Sequence, residues 1–508
     1  MAGVSCASKQ STPSTSNGSA STDRFNIAKG PFKGTRESLQ SYRTPEWFAD
    51  AKFGMWAHWG PQSGVEDGDW YARNMYMQGS DQYKYHVKHF GHQSKVGFKD
   101  LIPMFKGAEF DPNYLIGLYK KAGAKYFMSM GVHHDNFDMW NSKHTRWNAV
   151  NMGPKKDVVG LWKKAAYDHG LKFGVSEHLW ITYKWFSVSH GSDQTGPLAG
   201  VAYDGQNPQF SDLYTKDTTV YTKLPWNDDD IPDEWKQHWY ARIKDLVDNY
   251  QPDLLYTDGA LPFEEYGLNA VANLYNLSAQ RNGGQYSAVY TSKHPEDCAT
   301  GTCVLDVERG VVDKIWPQPW QTDTCIGDWH YKRGIKYKQP KVVIDLLTDI
   351  VSRNGNLMLN IPLPNSGMPD AEELKVVAGI TDWMKVNSEG IYATRPWKIY
   401  GDGPSTKAAP GADAKFNENK RKPLTAEDVR FTTKGDTLYA FVMGWPNKHA
   451  TIAPLGTKSS TPFGKVANVE LLGHDGKLKW MQAEDGLRID LPKEKPSDYA
   501  VTFKVTKA

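Results

Sequence analysis

Short apolar runs alternate with longer amphipathic stretches along most of this chain. The apolar runs are Lys52–Gly60, Ala124–Met130, Leu171–Ser176, Pro252–Gly259, Tyr286–Thr291, Val304–Val307 and Asn356–Ile361. Their length and their aliphatic and aromatic content predict buried strands. Between them, helical periodicity marks Asp111–Ala122, Asp157–His169, Glu234–Tyr250, Glu264–Gln280, Lys341–Ser352 and Asp370–Ser388. Asp111-Pro112 supplies an N-cap and a proline at the first helical position, and Gly123 and Gly170 close two helices. The alternation has the spacing of βα units, with about seven or eight strands. No Gly-x-Gly-x-x-Gly follows the first strand, so a (β/α)8-like barrel fits better than a nucleotide-binding sheet.

The pattern changes in two places. Trp180–Pro232 is rich in Gly, Asp, Tyr and Trp, shows no helical period, and reads as a loop excursion over one end of the domain. After Trp397 a Gly/Pro/Ala/Lys-rich stretch, 401–422, leads into short alternating strands at Val429–Thr432, Leu438–Val442, Val469–Leu472 and Tyr499–Phe503. These predict a small β-sandwich. The expected layout is a disordered tail over 1–35, a barrel over 36–397 and a β-sandwich domain over 398–508. No internal repeat is present.

Composition narrows the function classes. Lys and Arg number 60 against 58 Asp and Glu, a net charge of +2, which calls for neither nucleic acid nor an anionic membrane. No run is long and apolar enough for a membrane-spanning helix. Aromatic residues make up 13%, which suits sugar stacking as well as core filling. Residues 7–23 are Ser/Thr/Asn-rich, a composition that predicts disorder. Before them stands Val4-Ser5-Cys6, similar to the end of a bacterial lipoprotein signal. One reading makes Cys6 a lipidated residue and the protein exported, periplasmic or at the cell surface. The other makes it an incidental cysteine. Cys298 and Cys303 are close enough to pair, and two free thiols are the alternative.

The candidate chemistry lies at strand ends. His58, His133, His134, Glu177, His178, Asp258 and Glu308 all follow predicted strands, and in a barrel these ends share one mouth. Asp258-Gly259 on its own reads equally as a turn. Histidines with carboxylates suit either a metal site or a glycosidase. There is no His-x-His on the first strand and no His-Glu-x-x-His helix. Trp59, Trp70, Trp140, Trp180, Trp185, Trp320 and Trp329 fall near these strand ends in the predicted layout, which favours a sugar platform. His133 and His134 are adjacent and would point to opposite sides if extended, leaving one of them structural.

Several motifs resemble the α-L-fucosidases of glycoside hydrolase family 29. They are Trp47–Gly54 through His58-Trp59-Gly60, Asp69–Tyr76, Gly123–Tyr126 with His133-His134-Asp135, Leu254–Gly259, and Asp349–Ile361. They occur in family order between about residues 44 and 400. The resemblance implies a retaining exo-glycosidase that needs no metal or other cofactor and acts on fucosylated oligosaccharides or fucose-containing polysaccharides. Asp258 matches the nucleophile. His58, His133 and His134 match residues that bind sugar hydroxyls, and Trp70 matches a pocket wall. His178, Tyr256 and Trp329 join the expected sugar-binding set. Asp69 stands where the family usually has Glu, one methylene shorter, and Tyr256 where Trp is frequent. Glu308 is the expected acid/base, with Glu296 and Asp306 as alternatives. An ion pair with Arg309 would instead make Glu308 structural. The competing functions are an α-L-galactosidase, a non-catalytic glycan-binding protein, and a metal-dependent amidohydrolase-like barrel.

Overall fold

The computed structural model describes residues 23–217, 219–299, 301–407 and 415–508. Cys6, and with it the lipidation reading, lies outside them, as does most of the Ser/Thr/Asn-rich segment.

Eight parallel strands form one sheet: β1 (Phe53–Ala57), β2 (Tyr126–Val132), β3 (Lys172–Glu177), β4 (Leu254–Thr257), β5 (Val289–Ser292), β6 (Val304–Leu305), β7 (Trp320–Cys325) and β8 (Gly355–Asn360). Their order is β6-β5-β4-β3-β2-β1-β8-β7, and a parallel bridge between Asp306 and Gln321 joins the two outer strands. The Val307 and Arg309 amides continue that seam, donating to the Gln321 and Asp323 carbonyls at 2.9 and 2.8 Å. The result is a (β/α)8 barrel. Asp111, Asp157 and Asp370 cap helices that cover it, and Glu373 completes a capping box with Asp370.

β7 is absent from the pattern-based expectation. It reads Trp-Gln-Thr-Asp-Thr-Cys, and every residue in it is buried. A polar strand lacks the apolar signal that marks the others. β5 also starts later than the expected Tyr286.

The inner face of the barrel explains the site. Trp56, Tyr126, Met128, Leu254, Tyr256, Val289, Val304 and Met358 form a cluster of their own, separate from the larger core between sheet and helices. Side chains alternate along a strand, so the inner face reads in steps of two. Trp56 leads to His58, Ser176 to His178, Tyr256 to Asp258, Val289 to Lys293, and Val304 through Asp306 to Glu308. β2 carries a register shift between Met130 and Val132. That irregularity changes the parity and turns His133 inward.

The expected tail extends too far. Phe25 and Phe32 are buried, and Asn273 and Asn276 on the Glu265–Arg281 helix bond the Ala28 and Phe32 amides at 2.8 and 2.9 Å. Asn276 also returns a hydrogen bond to the Phe32 carbonyl. In the Trp180–Pro232 excursion the structure places short helical turns, among them Thr182–Trp185 and Ser211–Tyr214. Four residues set no amphipathic period, so these turns left no sequence signal.

The C-terminal unit begins at β9 (Arg395–Asp402), slightly before residue 398. Antiparallel strands β10 (Val429–Lys434), β11 (Thr437–Val442), β13 (Val466–Leu471) and β16 (Val501–Lys507) complete a five-stranded sheet with it. A three-stranded sheet of β12 (His449–Ile452), β14 (Trp480–Gln482) and β15 (Leu487–Asp490) faces it across a second core that includes Phe431, Leu438, Ile452, Leu487 and Phe503. Asp349 on the Pro340–Ser352 helix of the barrel ties the two units. Its carboxylate takes Arg430 from β10, Arg421, and Arg353 at 3.2 Å. Burial alone would raise its pKa, but the three guanidiniums hold it far below the usual carboxylate range. Asp349→Ala leaves those cations facing one another without their counter-ion. Urea denaturation should show a loss of about 3–5 kcal/mol.

Candidate active site

A cavity of about 700 Å³ opens at the carboxyl ends of the strands. His58, Asp69, Trp70, His133, His178, Tyr256, Asp258, Glu308 and Trp329 all line it. His134 does not. It stands behind Asp258, with Nε2 3.4 Å from Oδ2, and its Nδ1–H donates to the His178 carbonyl at 2.6 Å. Both adjacent histidines therefore serve the site, one at its surface and one beneath it.

Asp258 follows the last residue of β4 and faces inward because Leu254 and Tyr256 do. His178 Nδ1–H donates to its Oδ2 at 3.1 Å, and His178 Nε2 accepts from Ser176 Oγ at 3.2 Å. The turn reading is also correct: Gly259 N–H donates to the Thr257 carbonyl at 2.9 Å. Gly259 has φ 149°, and a Cβ there would meet the Trp180 ring at 2.8 Å. Trp180 needs that space, since its Nε1–H donates to the Asp258 carbonyl at 2.6 Å. Asp-Gly thus makes the turn and presents the carboxylate together.

Lys293, just past β5, joins the two expected carboxylates. Its Nζ lies 2.7 Å from Asp258 Oδ1 and 2.6 Å from Glu308 Oε2, so these two oxygens are at most 5.3 Å apart. Asp323 Oδ2 is a third neighbour at 3.7 Å and accepts from the Tyr256 hydroxyl at 3.1 Å. One ammonium cannot neutralise three carboxylates, one buried and two partly buried, so their proton affinities shift. Burial pushes Asp258 up, but Lys293, His134 and His178 outweigh it and hold the carboxyl well below its ordinary value. Burial pushes Glu308 up as well. There Lys293 opposes it, the negative charges of Asp323 and Asp258 reinforce it, and the net shift is upward. Two carboxyls pushed apart in this way divide into an anion and a proton carrier.

The alternatives for the proton carrier lie elsewhere. Glu296 is 84% exposed on the helix after β5, outside the cavity lining. Asp306 is fully buried inside the barrel, where it accepts from Gln321 Nε2 at 2.7 Å. Arg309 does not pair with Glu308. It reaches Cys325 Sγ and the Gly327 carbonyl instead.

The cavity floor is built from neutral imidazoles. Burial and the neighbouring rings hold His58 and His133 well below the usual histidine pKa. Both ring nitrogens of His58 lack a partner, as does His330 Nε2. A neutral imidazole offers one donor and one acceptor, which a hydroxyl can satisfy. Gln62 Nε2–H donates to His133 Nδ1 at 2.9 Å, fixing its tautomer with Nε2–H toward the site. Asp69, one methylene short of Glu, accepts from His330 Nδ1–H at 2.6 Å. Donor atoms of His58, Asp69, His133 and His330 lie within 4.8 Å of one another, a set that could also hold a divalent ion.

Lys293, Asp323, His330 and Gln62 were missed by sequence reasoning. Lys293 follows its strand end by one residue, and a strand placed at Val289–Ser292 would have exposed it. Asp323 sits in the unseen β7. Glu177 was expected at the mouth but points outward between sheet and helix, accepting from Trp239 Nε1–H at 3.1 Å, where burial pushes it up to about 7. Trp59 and Trp140 belong to the core, and Trp320 lies at the amino end of β7. Trp185 is core too, packed behind Trp70.

A parallel barrel whose mouth holds an ammonium-bridged carboxylate pair among imidazoles and indoles defines a glycoside hydrolase. The sequence profile of the α-L-fucosidase family matches residues 20–389, and that of the α-L-fucosidase C-terminal domain matches residues 421–506. The chain belongs to the α-L-fucosidase family, glycoside hydrolase family 29. It is 26% identical to human tissue α-L-fucosidase over 491 residues, 92% of this chain and 90% of that protein. It is 27% identical to the α-L-fucosidase of Branchiostoma floridae over 483 residues, 90% of this chain and 91% of that one. Among solved structures, Thermotoga maritima α-fucosidase in complex with fucose superposes with a TM-score of 0.70 at 22% identity, covering 94% of this chain and 100% of that one. The GH29 α-L-fucosidase of Bacteroides thetaiotaomicron gives 0.61 at 18% identity, covering 91% and 94%. At such identities the likeness concerns the fold.

Replacing the ammonium should move both titrations in one direction. In Lys293→Met neither carboxylate has its cation, so the pKa values of Asp258 and Glu308 both rise. A reaction that needs Asp258 ionised and Glu308 protonated then loses activity earlier on the acid side, and its basic limb moves up as well. The pH profile of kcat/KM should show both limbs displaced upward by about one pH unit or more.

Proposed function

We propose that this protein is a retaining, exo-acting α-L-fucosidase that removes terminal α-L-fucosyl residues from glycans or fucose-containing polysaccharides. The observation that carries the reading is the Lys293 bridge. It limits the nearer oxygens of Asp258 and Glu308 to 5.3 Å, in keeping with the separation of about 5–5.5 Å between carboxyl groups that double displacement requires. An inverting site would leave room for a water between them.

Asp258, held ionised, attacks the anomeric carbon. The bond to the leaving oxygen breaks as Glu308 gives that oxygen its proton. A fucosyl ester on Asp258 results. Glu308, now a carboxylate, takes a proton from water, and the water oxygen displaces Asp258 with a second inversion. His58, Asp69, Trp70, His133, His178, Tyr256 and Trp329 surround the sugar. His134 acts from behind by orienting Asp258. The buried floor suits a terminal residue. The Cys298–Cys303 disulfide supports export to an oxidising compartment.

Asp258→Ala should cut turnover of an aryl α-L-fucoside by about 10⁴-fold. Azide should restore product as the β-fucosyl azide, identified by NMR. Glu308→Ala should slow natural glycans by about 10²- to 10⁴-fold, and far less with activated leaving groups. Full activity of the Glu308 variant on glycans would remove that residue from the mechanism. An aryl α-L-galactoside in the same assay separates the 6-deoxy sugar from its hydroxylated counterpart.

The His58–Asp69–His133–His330 donor set supports a second reading, a metal-dependent hydrolase. Prolonged EDTA treatment decides between them. Under the fucosidase reading kcat/KM stays within twofold. A loss restored by added zinc would make this cluster the reactive centre.

A further inference from the structure

The cavity is larger than one monosaccharide needs, and its outer part is built by segments that belong to neither β-strand nor barrel helix. Trp226, from the long excursion, lines one side and is 56% exposed. It stacks outward from the wall, with ring centres 5.7 Å from Trp70 and 6.4 Å from Trp180. Phe416, from the segment leading into the sandwich, lines the cavity as well and is 54% exposed. Exposing two large aromatic rings beside a polar site has no packing benefit.

Phe416 is held in place deliberately. Its φ is 53°, a left-handed conformation that a bulky residue rarely adopts. The Phe416 N–H donates to the Glu308 carbonyl at 2.9 Å, and the Glu418 N–H to the Arg309 carbonyl at 3.0 Å. The Asn417 side chain makes two further bonds to the Val311 backbone, at 3.1 and 2.9 Å. A strained aromatic residue pinned by its neighbours is a mark of function. Its position states which function. Glu308 serves the leaving oxygen, so the group that carries this oxygen must sit beside Glu308, where Phe416 is anchored.

We propose that Phe416 and Trp226 form a two-sided aromatic subsite for the first sugar ring beyond the scissile bond, and that this ring is an uncharged pyranose. The inference rests on the fucosidase reading above. Aromatic faces stack on the C–H faces of a sugar ring without requiring one linkage. The charges at the mouth argue against a sulfated ring. Asp228 and Glu264 line it, and the Arg36 guanidinium is engaged by both oxygens of Glu264, at 2.9 and 3.0 Å. Lys415 contributes a second cation, so these two carboxylates and two cations leave no net positive charge to hold a sulfate.

The test compares substrates that differ in the leaving group. Methyl α-L-fucoside needs the general acid yet carries no ring, whereas a neutral fucosyl disaccharide needs the acid and carries one. In Phe416→Ala and in Trp226→Ala, the kcat/KM ratio of disaccharide to methyl fucoside should fall about tenfold. Phe416→Trp should restore it, and Phe416→Leu, which lacks a flat face, should not. A wild-type preference for the neutral disaccharide over its sulfated counterpart is expected. If the alanine variants slow both substrates equally, Phe416 only positions Glu308 and the subsite is refuted. Faster cleavage of the sulfated disaccharide overturns the uncharged ring. Failure of the wild type on α-L-fucosyl fluoride, which needs neither acid nor ring, would defeat the fucosidase reading instead.

Discussion

The Lys293 ammonium is the contact on which the site depends. It touches Asp258 and Glu308 at near-equal distance and has Asp323 within reach. Without it the barrel mouth would hold mutually repelling carboxylates in a buried space, an arrangement that ordinarily protonates or loosens. With it the groups stay close, and their proton affinities separate because His134 and His178 add to its pull on Asp258 while the charges of Asp323 and Asp258 oppose it at Glu308.

Parity along the strands delivers those groups to one place. Leu254, Tyr256 and Asp258 share a face, as do Val289 and Lys293, and Val304, Asp306 and Glu308. The lower members pack the barrel and the upper members reach the cavity. β2 breaks the rule with a register irregularity, which lets His133 enter the cavity while His134 supports Asp258. The same alternation sends Glu177 outward, although it ends a strand like the others.

The C-terminal unit does more than cap the barrel. The Asp349 cluster fastens it to a barrel helix, and residues 415–418 run back along the turn after β6 that carries Glu308. Glu418 accepts from Thr324 Oγ1 at 2.8 Å and pairs with Lys338 at 3.0 Å, so this segment is tied to β7 as well. At the mouth Asp69 meets His330, and Tyr256 uses its hydroxyl on Asp323.

The amino-acid sequence by itself determined the barrel, the sandwich and the candidate nucleophile. Apolar runs at βα spacing and capped helices are local signals, and Asp258-Gly259 is a strand end in one dimension as in three. What it could not convey were the partners. β7 is polar because the barrel's interior there holds hydrogen-bonding groups, so hydrophobic periodicity missed it and Asp323 with it. Lys293 and Glu308 follow successive strands with a disulfide-closed loop between them; pairing of β4, β5 and β6 sets both beside Asp258, and closure of the barrel between β6 and β7 adds Asp323. Tertiary structure likewise decided that Cys298 and Cys303 pair, and that Phe416 belongs to the site. Contacts between residues distant in the chain leave no local pattern, because each depends on where the other segment folds.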